Sequence, residues 1–361
     1  MVSSYTLCES HIWPLKSLII LSQTLHLLPI SPYADAEYYF KYYGNPNYGD
    51  KWVQAALSGD KTDFKSGRGN ADFATYDFEG RAECVKKGTA YLNVFMYVIR
   101  EFEDALDDCV KECIYCNDDP VHAWDEGVAF YAGSLEGEAG EGSGELLHQL
   151  ADKRCKDYNT CVEGSTVSKV NSELQGLFNV GQGQLQIGKC DAARITKSQV
   201  ADLMYIPLIQ GTIRYAHKID KLGLNLEKEK AEGTVFAASI LPRIFAVNED
   251  AANTIYDNMR VGATSTNYKA VRDAFESVYS DLNINCADIG GLVDSTGAYY
   301  EGAAPCSDES TEPKSTSNVI GIAIGAVVCA IAVGSIGYIF FLRSRSKQGK
   351  PVFAPSGEGA L

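Results

Sequence analysis

Residues 122–135 read HAWDEGVAFYAGSL, and their periodicity predicts a helix with two different faces. In a helix, His122 and Glu126 lie one turn apart on the same side, with Asp125 beside them. The small residues Ala129 and Gly133 continue that side and leave space next to it. One face of this helix therefore carries candidate metal ligands. The opposite face is bulky and predicts core packing by Trp124, Val128 and Tyr131.

A weaker copy of this pattern occurs later in the chain. EGTVFAASIL at 232–241 matches EGVAFYAGSL at 126–135, so that Glu126 and Glu232 occupy the same place in the two copies. The preceding helices also match when Ile213-Arg214 is aligned with Ile99-Arg100. The sequence therefore predicts two related halves, at about residues 72–150 and 195–285, each containing a helical hairpin.

The helix before the first motif has a regular apolar stripe. Its apolar residues recur every three or four positions, at Leu92, Phe95, Ile99, Phe102, Leu106 and Cys109. This spacing predicts an amphipathic helix over 91–110. With Ile99 at the centre of the stripe, Glu101 and Asp104 are expected to face water. Glu103 is expected at the edge of the stripe, which makes it a candidate ligand.

The matching helix of the second half has its stripe at Ile206, Ile209, Ile213 and Ala216. The alignment places His217 at the position of Glu103 and Asp220 at the position of Leu106. An aspartate near the centre of a buried stripe needs a partner or a ligand.

Few stretches alternate with period two, so the sequence predicts an all-α body. Further helices are expected at 144–156, 164–178, 229–247, 249–261 and 267–282. The tyrosine-rich segment EYYFKYYGNPNYGDKW (37–52) is expected to be irregular, with its rings on the core. The predicted fold class is an internally duplicated helical bundle that is stapled by disulfides.

Cysteine use predicts an oxidising compartment. Eleven cysteines are present, and all but Cys8 and Cys329 fall in the body of the chain. Most of these nine are expected to form disulfides, with one left over. A CxxC occurs at Cys113 and Cys116. We interpret it as part of the disulfide set, because no second CxxC or histidine pair completes a zinc site.

The two ends of the chain predict secretion and membrane anchoring. Residues 1–36 resemble a signal peptide, with Ala34-x-Ala36 before a cleavage point at Glu37. A polar stalk at 306–318 precedes an uncharged apolar run at 319–342, which is long enough to span a bilayer. Basic residues in the tail at 343–361 orient this span. The sequence predicts a type I plasma-membrane protein with an extracellular ectodomain at 37–305.

The acidic balance of the chain bears on its partners. The formal net charge of −15 and the pI near 4.8 argue against a nucleic-acid partner and favour cations. The predicted duplication places Glu126 against Glu232 and Glu103 against His217, and His122 and Asp125 add to this group. Such oxygen-rich ligands favour Fe(III) or Mn(II) over copper or zinc.

Other residues extend this hypothesis or offer an alternative to it. Arg100 and Arg214 are candidates to hold an anion beside the metal, and Tyr215 is a further candidate ligand. Alternatively, Glu126 and Glu232 cap helices or pair with these arginines. His217 and Asp220 would then form an internal hydrogen-bonded pair.

HAWDEGVAFYAGSLEG (122–137), IREFEDALDDC (99–109), the signal and the anchor together resemble the phytotransferrins, with similarity over about residues 40–305. These are iron-starvation-induced surface proteins of algae, related to iron-assimilating periplasmic proteins. The resemblance implies binding of ferric iron with a synergistic carbonate, followed by internalisation, with a surface reductase or the endocytic machinery as partners. Only His122, Asp125 and Glu126 are carried over from it as ligands.

Two other classes of function compete with metal binding. An enzyme is not expected, because HExxH is absent and no nucleophile arrangement occurs. An adhesion or scaffold ectodomain without a metal site would also account for the stalk, the anchor and the disulfides.

Overall fold

The structure is a computed structural model that describes residues 34–111, 119–134, 144–224 and 226–307. These residues belong to one compact unit that ends at Ser307. Within them the fold is helical and contains no β-strand, only isolated bridges such as that between Lys61 and Asp72. The CxxC and nearly all of the predicted signal, stalk, membrane span and tail lie outside the described residues. No helix in the described ranges is long and apolar enough to cross a membrane.

Twelve α-helices form the described part of the chain. They are α1 (Ala34–Tyr43), α2 (Tyr48–Ser58), α3 (Phe78–Gly88), α4 (Phe95–Val110), α5 (Pro120–Ala132), α6 (Leu147–Tyr158), α7 (Lys169–Gln186), α8 (Cys190–Asp220), α9 (Glu227–Val247), α10 (Glu249–Met259), α11 (Tyr268–Glu276) and α12 (Cys286–Ile289). A π-helical turn, Thr89–Val94, joins α3 to α4, and short 3₁₀ turns lie at Phe73–Thr75 and Ser280–Leu282. The all-α prediction is confirmed for these residues.

Two helical hairpins dominate the packing, α4 with α5 and α8 with α9. Helix α5 begins as the sequence predicts, because Asp119 accepts hydrogen bonds from the backbone N–H groups of Val121 and His122, and Pro120 occupies the first helical position. Its predicted core residues Trp124 and Tyr131 are fully buried. The predicted core side of α5 is therefore confirmed at these two positions.

Helix α7 receives the bulky side of α5. Trp124 donates from Nε1 to the carbonyl of Phe178 at 3.0 Å, and the Tyr131 hydroxyl donates to Asn171 at 2.6 Å. A glycine is required where the indole lies on α7, because a Cβ at Gly181 would come within 2.1 Å of the Trp124 ring. These contacts fix the orientation of α5 and leave the face with His122 turned to solvent.

The N-terminal tyrosine-rich segment is helical, so the prediction of an irregular segment is wrong. Its rings do pack on the core, and they also bind the backbone of α9. Tyr43 donates to the carbonyl of Ala238 at 2.8 Å, and Tyr39 donates to that of Ser239 at 2.7 Å. Since Pro242 has no N–H for the carbonyl four residues before it, Tyr43 supplies the donor that α9 lacks. Tertiary contacts of this kind stabilise α1.

Three disulfides staple the described residues. Cys109–Cys190 joins the end of α4 to the start of α8, Cys155–Cys161 closes a short loop after α6, and Cys286–Cys306 ties down the C-terminal segment. Cys84 is buried and carries a free thiol. The predicted disulfide-stapled body with an unpaired cysteine agrees with these described cysteines.

A buried ion triad connects three helices. The ammonium of Lys197 on α8 binds Asp35 on α1, and it lies 3.1 Å from Glu103 on α4. All three residues are buried. Burial opposes the charge on Lys197, but the two carboxylates outweigh it and raise its pKa. Glu103 is therefore engaged in a structural contact, and Asp35, which cleavage before Glu37 would remove, belongs to the fold.

We expect the substitution Lys197→Met to lower the free energy of unfolding by about 3–5 kcal/mol, because it leaves Asp35 and Glu103 buried without a cation. Urea unfolding at pH 7 measures this loss. The matched control is Lys41→Met, which removes the exposed pair with Glu37 and should cost less than about 1 kcal/mol. Equal losses for the two variants would contradict a stabilising role for the triad.

Candidate functional site

The predicted ligands on α5 form a solvent-exposed group. His122 Nε2 lies 3.1 Å from Glu126 Oε1, and their side chains are 64% and 42% exposed. Asp125 is also exposed and accepts a hydrogen bond from Gln182 Nε2 at 2.8 Å. The structure thus places His122 and Glu126 in direct contact, with Asp125 exposed beside them and bound to Gln182 of α7.

Glu101 on α4 lies inside, which contradicts the expectation that it faces water. It is only 5% exposed, because α5 packs across this side of α4 and covers it. Burial raises the pKa of Glu101 to about 7, a hydrogen bond with Tyr97 opposes this rise, and the charge of Glu126 adds to it. Glu101 and Glu126 are therefore neighbours across the first hairpin, beside a phenol and the imidazole of His122.

His217 and Asp220 lie near the end of α8 and have separate partners. The His217 ring is buried against the rings of Tyr268 and Tyr300, with centroids 4.9 and 4.6 Å away, and burial lowers its pKa. Asp220 is half-buried and accepts from the backbone N–H of Tyr268 at 2.9 Å. The expectation that Asp220 lies near the buried centre of the stripe is wrong, because α8 ends at this residue.

A second group forms where α3, α6, α8 and α9 meet. The hydroxyl of Tyr215 on α8 donates to Glu232 Oε2 on α9. Glu83 on α3 lies in electrostatic range, since burial and then the charge of Glu232 raise its pKa. Glu229, one turn before Glu232, has a buried Oε2 that lacks a hydrogen-bond partner. This group therefore contains one phenol and three carboxylates.

Cations surround the same group. Arg154 Nη2 on α6 lies 3.2 Å from Asp157 Oδ2, and Arg214 Nε on α8 lies 3.0 Å from the same oxygen. Lys218 Nζ lies 4.9 Å from the centre of the Tyr215 ring, and burial followed by repulsion from Arg214 lowers its pKa. Two guanidinium groups thus share one carboxylate next to the Tyr215 phenol.

The Arg154 side chain is incompletely satisfied. The residue is only 8% exposed, and its Nε and Nη1 atoms are buried without hydrogen-bond partners. Leaving buried donors of a charged group unpaired costs more than about 1–3 kcal/mol, so such atoms usually indicate a missing acceptor. The Nε and Nη1 donors lie on different edges of the guanidinium, so an oxyanion would accept a hydrogen bond from one of them.

The two groups occupy equivalent positions in the proposed halves. The alignment of Ile99 with Ile213 also matches Glu101 with Tyr215 and Arg100 with Arg214. Glu101 faces Glu126 in the first hairpin, as Tyr215 faces Glu232 in the second. Each hairpin thus brings together the same pair of positions, with different chemistry in the two halves.

The residues proposed from the sequence are therefore distributed over several places. Burial raises the pKa values of all four neighbouring groups. The charge of Glu126 adds to this rise for Tyr97 and Glu101, whereas the charge of Glu232 adds to it for Tyr215 and Glu83. Among the described residues, no three or more His, Cys, Asp or Glu side chains are grouped so that they could hold a metal ion. A metal at either place would need other donors, such as a tyrosine oxygen or a bound anion.

Sequence reasoning missed several residues of these groups, among them Tyr97, Glu83, Arg154 and Asp157. Tyr97, Arg154 and Asp157 lie on helices that were at least partly predicted, and Tyr97 reaches Glu101 within its own helix. Glu83 lies on α3, which was not predicted, and it reaches the second group, like Arg154 and Asp157, only through tertiary packing. The proposed duplication aligns Glu101 with Tyr215, so it could have indicated that these two residues occupy equivalent positions.

The buried Glu101 predicts a pH-dependent stability. Its folded-state pKa of about 7 lies above the value of about 4.3 for an exposed glutamate, so the unfolded chain loses this proton first as the pH rises. The free energy of unfolding should therefore fall between about pH 4.5 and 7, by roughly 2–3 kcal/mol. Urea unfolding across this range should show that Glu101→Gln reduces the fall by about this amount. The exposed control Glu163→Gln should keep it, and an unchanged slope in Glu101→Gln would contradict the assignment.

Comparison with known proteins identifies the family. No curated protein and no solved structure matches the chain. The sequence profile of the low iron-inducible periplasmic proteins matches residues 71–304, well over half of the 361 residues, and includes both hairpins. The family description agrees with the expected link to iron starvation and with a location outside the cytoplasm. The chain belongs to the low iron-inducible periplasmic protein family.

Proposed function

We propose that this protein binds ferric iron together with carbonate at the group around Tyr215 and Glu232, as a phytotransferrin-like component of iron uptake. The observation that carries the proposal is the buried Arg154, which has two unpaired nitrogen atoms next to a phenol–carboxylate pair. Membership of a family induced by low iron supports iron as the cargo. In this proposal the protein is a binding protein and not an enzyme.

The donor atoms suit a hard trivalent cation. Carboxylate and phenolate oxygens are anionic ligands of the kind that Fe(III) favours over soft donors. Tyr215 and Glu232 already touch, and the metal would take the place of the proton between them. Glu83, whose pKa the charge of Glu232 helps to raise, and the unpartnered oxygen of Glu229 are further carboxylate donors in this region. The proposed ligands are therefore Tyr215 and Glu232, with Glu83 or Glu229.

Carbonate would complete the site. The Nε and Nη1 atoms of Arg154 have no acceptor within the described part of the protein, so an anion between this guanidinium and the metal would supply one. A carbonate could accept a hydrogen bond from an unpaired Arg154 nitrogen through one oxygen and coordinate the metal through another. This arrangement would make the anion synergistic. Without it the metal would lack a ligand, and the unpaired nitrogen atoms of Arg154 would lack an acceptor.

The proposal leaves a different role for the exposed group of α5. His122, Asp125 and Glu126 lie on a solvated face, and Glu101 beside them holds a raised pKa of about 7. Glu126 therefore supplies a matched control, because it occupies the position of Glu232 in the other half. At the cell level, we propose delivery of the iron by internalisation of the anchored protein, with a surface reductase or the endocytic machinery as partner.

Titration of the full chain with ferric nitrilotriacetate, with and without bicarbonate, tests this assignment. Coordination by Tyr215 should give a phenolate-to-iron absorption band in the visible, which Tyr215→Phe removes. Glu232→Gln should weaken binding by at least about tenfold, or about 1.4 kcal/mol, because an anionic ligand is lost. Arg154→Gln should remove the gain from bicarbonate. Glu126→Gln should bind as the wild type does.

Two results would overturn the proposal. If Tyr215→Phe and Glu232→Gln bind iron like the wild type, the metal lies elsewhere, and loss of binding in Glu126→Gln would place it on α5. If the wild type binds no more iron than its acidic surface explains, a ligand-free adhesion or scaffold ectodomain is the better interpretation.

Acid should release the iron. Glutamate, carbonate and the Tyr215 phenol must all be deprotonated to bind, and burial followed by Glu232 already raises the phenol pKa in the absence of metal. Protons therefore compete increasingly well as the pH falls, and iron should dissociate as the pH approaches about 5. Loss of the visible band in a pH titration measures the release. Retention of the band at that pH would exclude release by acid alone.

A further inference from the structure

The buried triad of Lys197, Asp35 and Glu103 holds an amine against a carboxyl group, with a second carboxyl group beside them. The Lys197 Nζ atom contacts Asp35 Oδ2 and lies 3.1 Å from Glu103 Oε1. The hydroxyl of Tyr205 donates to the other oxygen of Asp35 at 3.3 Å. The carboxyl group of Asp35 therefore has an amine nitrogen on one oxygen and a hydrogen-bond donor on the other.

The triad is closed to solvent. Its three residues are each at most 9% exposed. The rings of Tyr39, Phe95 and Tyr205 pack in sequence beside it, with ring centres 6.1 and 5.7 Å apart. Two reactive groups that folding holds in contact have a very high effective concentration. In a buried position, an amide formed between them would also be protected from hydrolysis.

The charges of the triad favour the same product. One ammonium faces two carboxylates in the interior, and each buried ion loses its hydration. Formation of an amide between Lys197 and Asp35 would remove two of the three charges and leave a neutral polar group, which costs less to bury. The desolvation cost of the ion pair is therefore a driving force for joining the two side chains.

We propose that Lys197 and Asp35 form an intramolecular isopeptide bond after folding, and that Glu103 carries the proton in this reaction. The ammonium first gives one proton to Glu103 Oε1, which leaves a free amine. The amine nitrogen then forms a bond to Asp35 Cγ. One oxygen of Asp35 leaves as water, with one proton returned by Glu103 and one from the nitrogen. An ammonium and a carboxylate thus become an amide and water, and no oxidant or other reactant is needed.

The electrostatics of the triad suit Glu103 to this role and make the reaction slow. Burial raises the pKa of Glu103, although the charge of Lys197 opposes the rise. Burial lowers the pKa of Lys197, but Asp35 and Glu103 outweigh this effect and raise it. Transfer of the proton from Lys197 to Glu103 is therefore uphill, and we expect the bond to form slowly and once in each chain.

The bond would tie the first described helix to the centre of the fold. It would join α1 to α8 through residues that are 162 positions apart in the sequence. An amide does not titrate, so α1 would stay attached in an acidic compartment where an ion triad loses its carboxylate charges. The proposal requires Asp35 in the mature chain. It does not depend on iron binding, because the triad contains no residue of the group around Tyr215.

Peptide mapping by mass spectrometry tests the proposal on the full chain, isolated from a secreting host. Trypsin cleaves after Arg194 and Arg214, but it does not cleave after a lysine whose amine is part of an amide. The wild type should therefore yield residues 195–214 as one peptide, joined to the peptide that ends at Lys41. The joined product should be lighter than the sum of the two peptides by one water molecule.

Two variants and one internal control sharpen this test. Lys197→Arg keeps the positive charge but replaces the amine by a poorly nucleophilic guanidinium, and Glu103→Gln removes the proton acceptor. Both should lose the joined product completely, and circular dichroism checks that they remain helical. The control is the exposed pair of Lys61 and Asp72, which are 2.7 Å apart and should remain unlinked in the same digest.

The wild-type digest decides the proposal even if a variant fails to fold. Complete cleavage after Lys197, with residues 198–214 as a free peptide, overturns the isopeptide bond. A mature chain that begins at Glu37 overturns it as well, because Asp35 is then absent. If Glu103→Gln still yields the joined product, the bond is present but the proposed proton transfer through Glu103 is wrong.

Discussion

The compensation of buried charge determines which parts of this fold are structural and which are available to a ligand. Helix α8 carries a cation near each end. Lys197, near its start, meets Asp35 and Glu103 and thereby joins three helices. Arg214, near its end, shares Asp157 with the buried Arg154. In the first group the charged side chains are paired within the protein, whereas in the second the Nε and Nη1 atoms of Arg154 have no acceptor among the described residues.

The two hairpins bring equivalent positions together, but the side chains at these positions differ in chemistry. In the first, Glu101 faces Glu126, and burial raises the pKa of Glu101 so that a proton reduces the repulsion near neutral pH. In the second, the phenol of Tyr215 faces Glu232, and Arg154 and Arg214 lie nearby. A proton on Glu101 reduces the repulsion in the first group, whereas the second leaves two Arg154 nitrogen atoms without an acceptor in the described ranges. This difference assigns the proposed cargo to the second hairpin, although the most distinctive sequence motif lies in the first.

Local signals made much of the fold predictable. The Asp119-Pro120 start of α5 depends only on neighbouring backbone groups, and the burial of Trp124 and Tyr131 follows from helical periodicity. Periodicity wrongly predicted that Glu101 faces water. It identifies only the apolar stripe of α4 and gives no sign that α5 packs over a second side of that helix. The helical state of the N-terminal segment depends on contacts such as that of Tyr43 with α9, nearly two hundred residues away.

The candidate site was harder to predict, since its parts come from four helices and the proposed repeat paired Glu232 with Glu126, whereas its hydrogen-bond partner is Tyr215. Arg154 and Glu83 belong to helices without a distinctive motif. Their approach to Tyr215 is set by packing, and a single sequence contains no signal for it. The duplicated register remains the informative feature, because it matches residues 101 and 126 with residues 215 and 232 before any contact is known.

The position of Arg154 does not depend on the anion that it is proposed to hold. One turn after it, Tyr158 donates to the carbonyl of Gln210 on α8 at 2.7 Å, and the Asp157 carbonyl accepts from Val293 at 2.8 Å. The disulfide Cys155–Cys161 closes the end of the same helix. Since these contacts form on folding, the guanidinium is in place before any ligand arrives. An anion would then bind without the entropic cost of ordering its partner, and a preorganised arginine of this kind favours tight binding of a small ion.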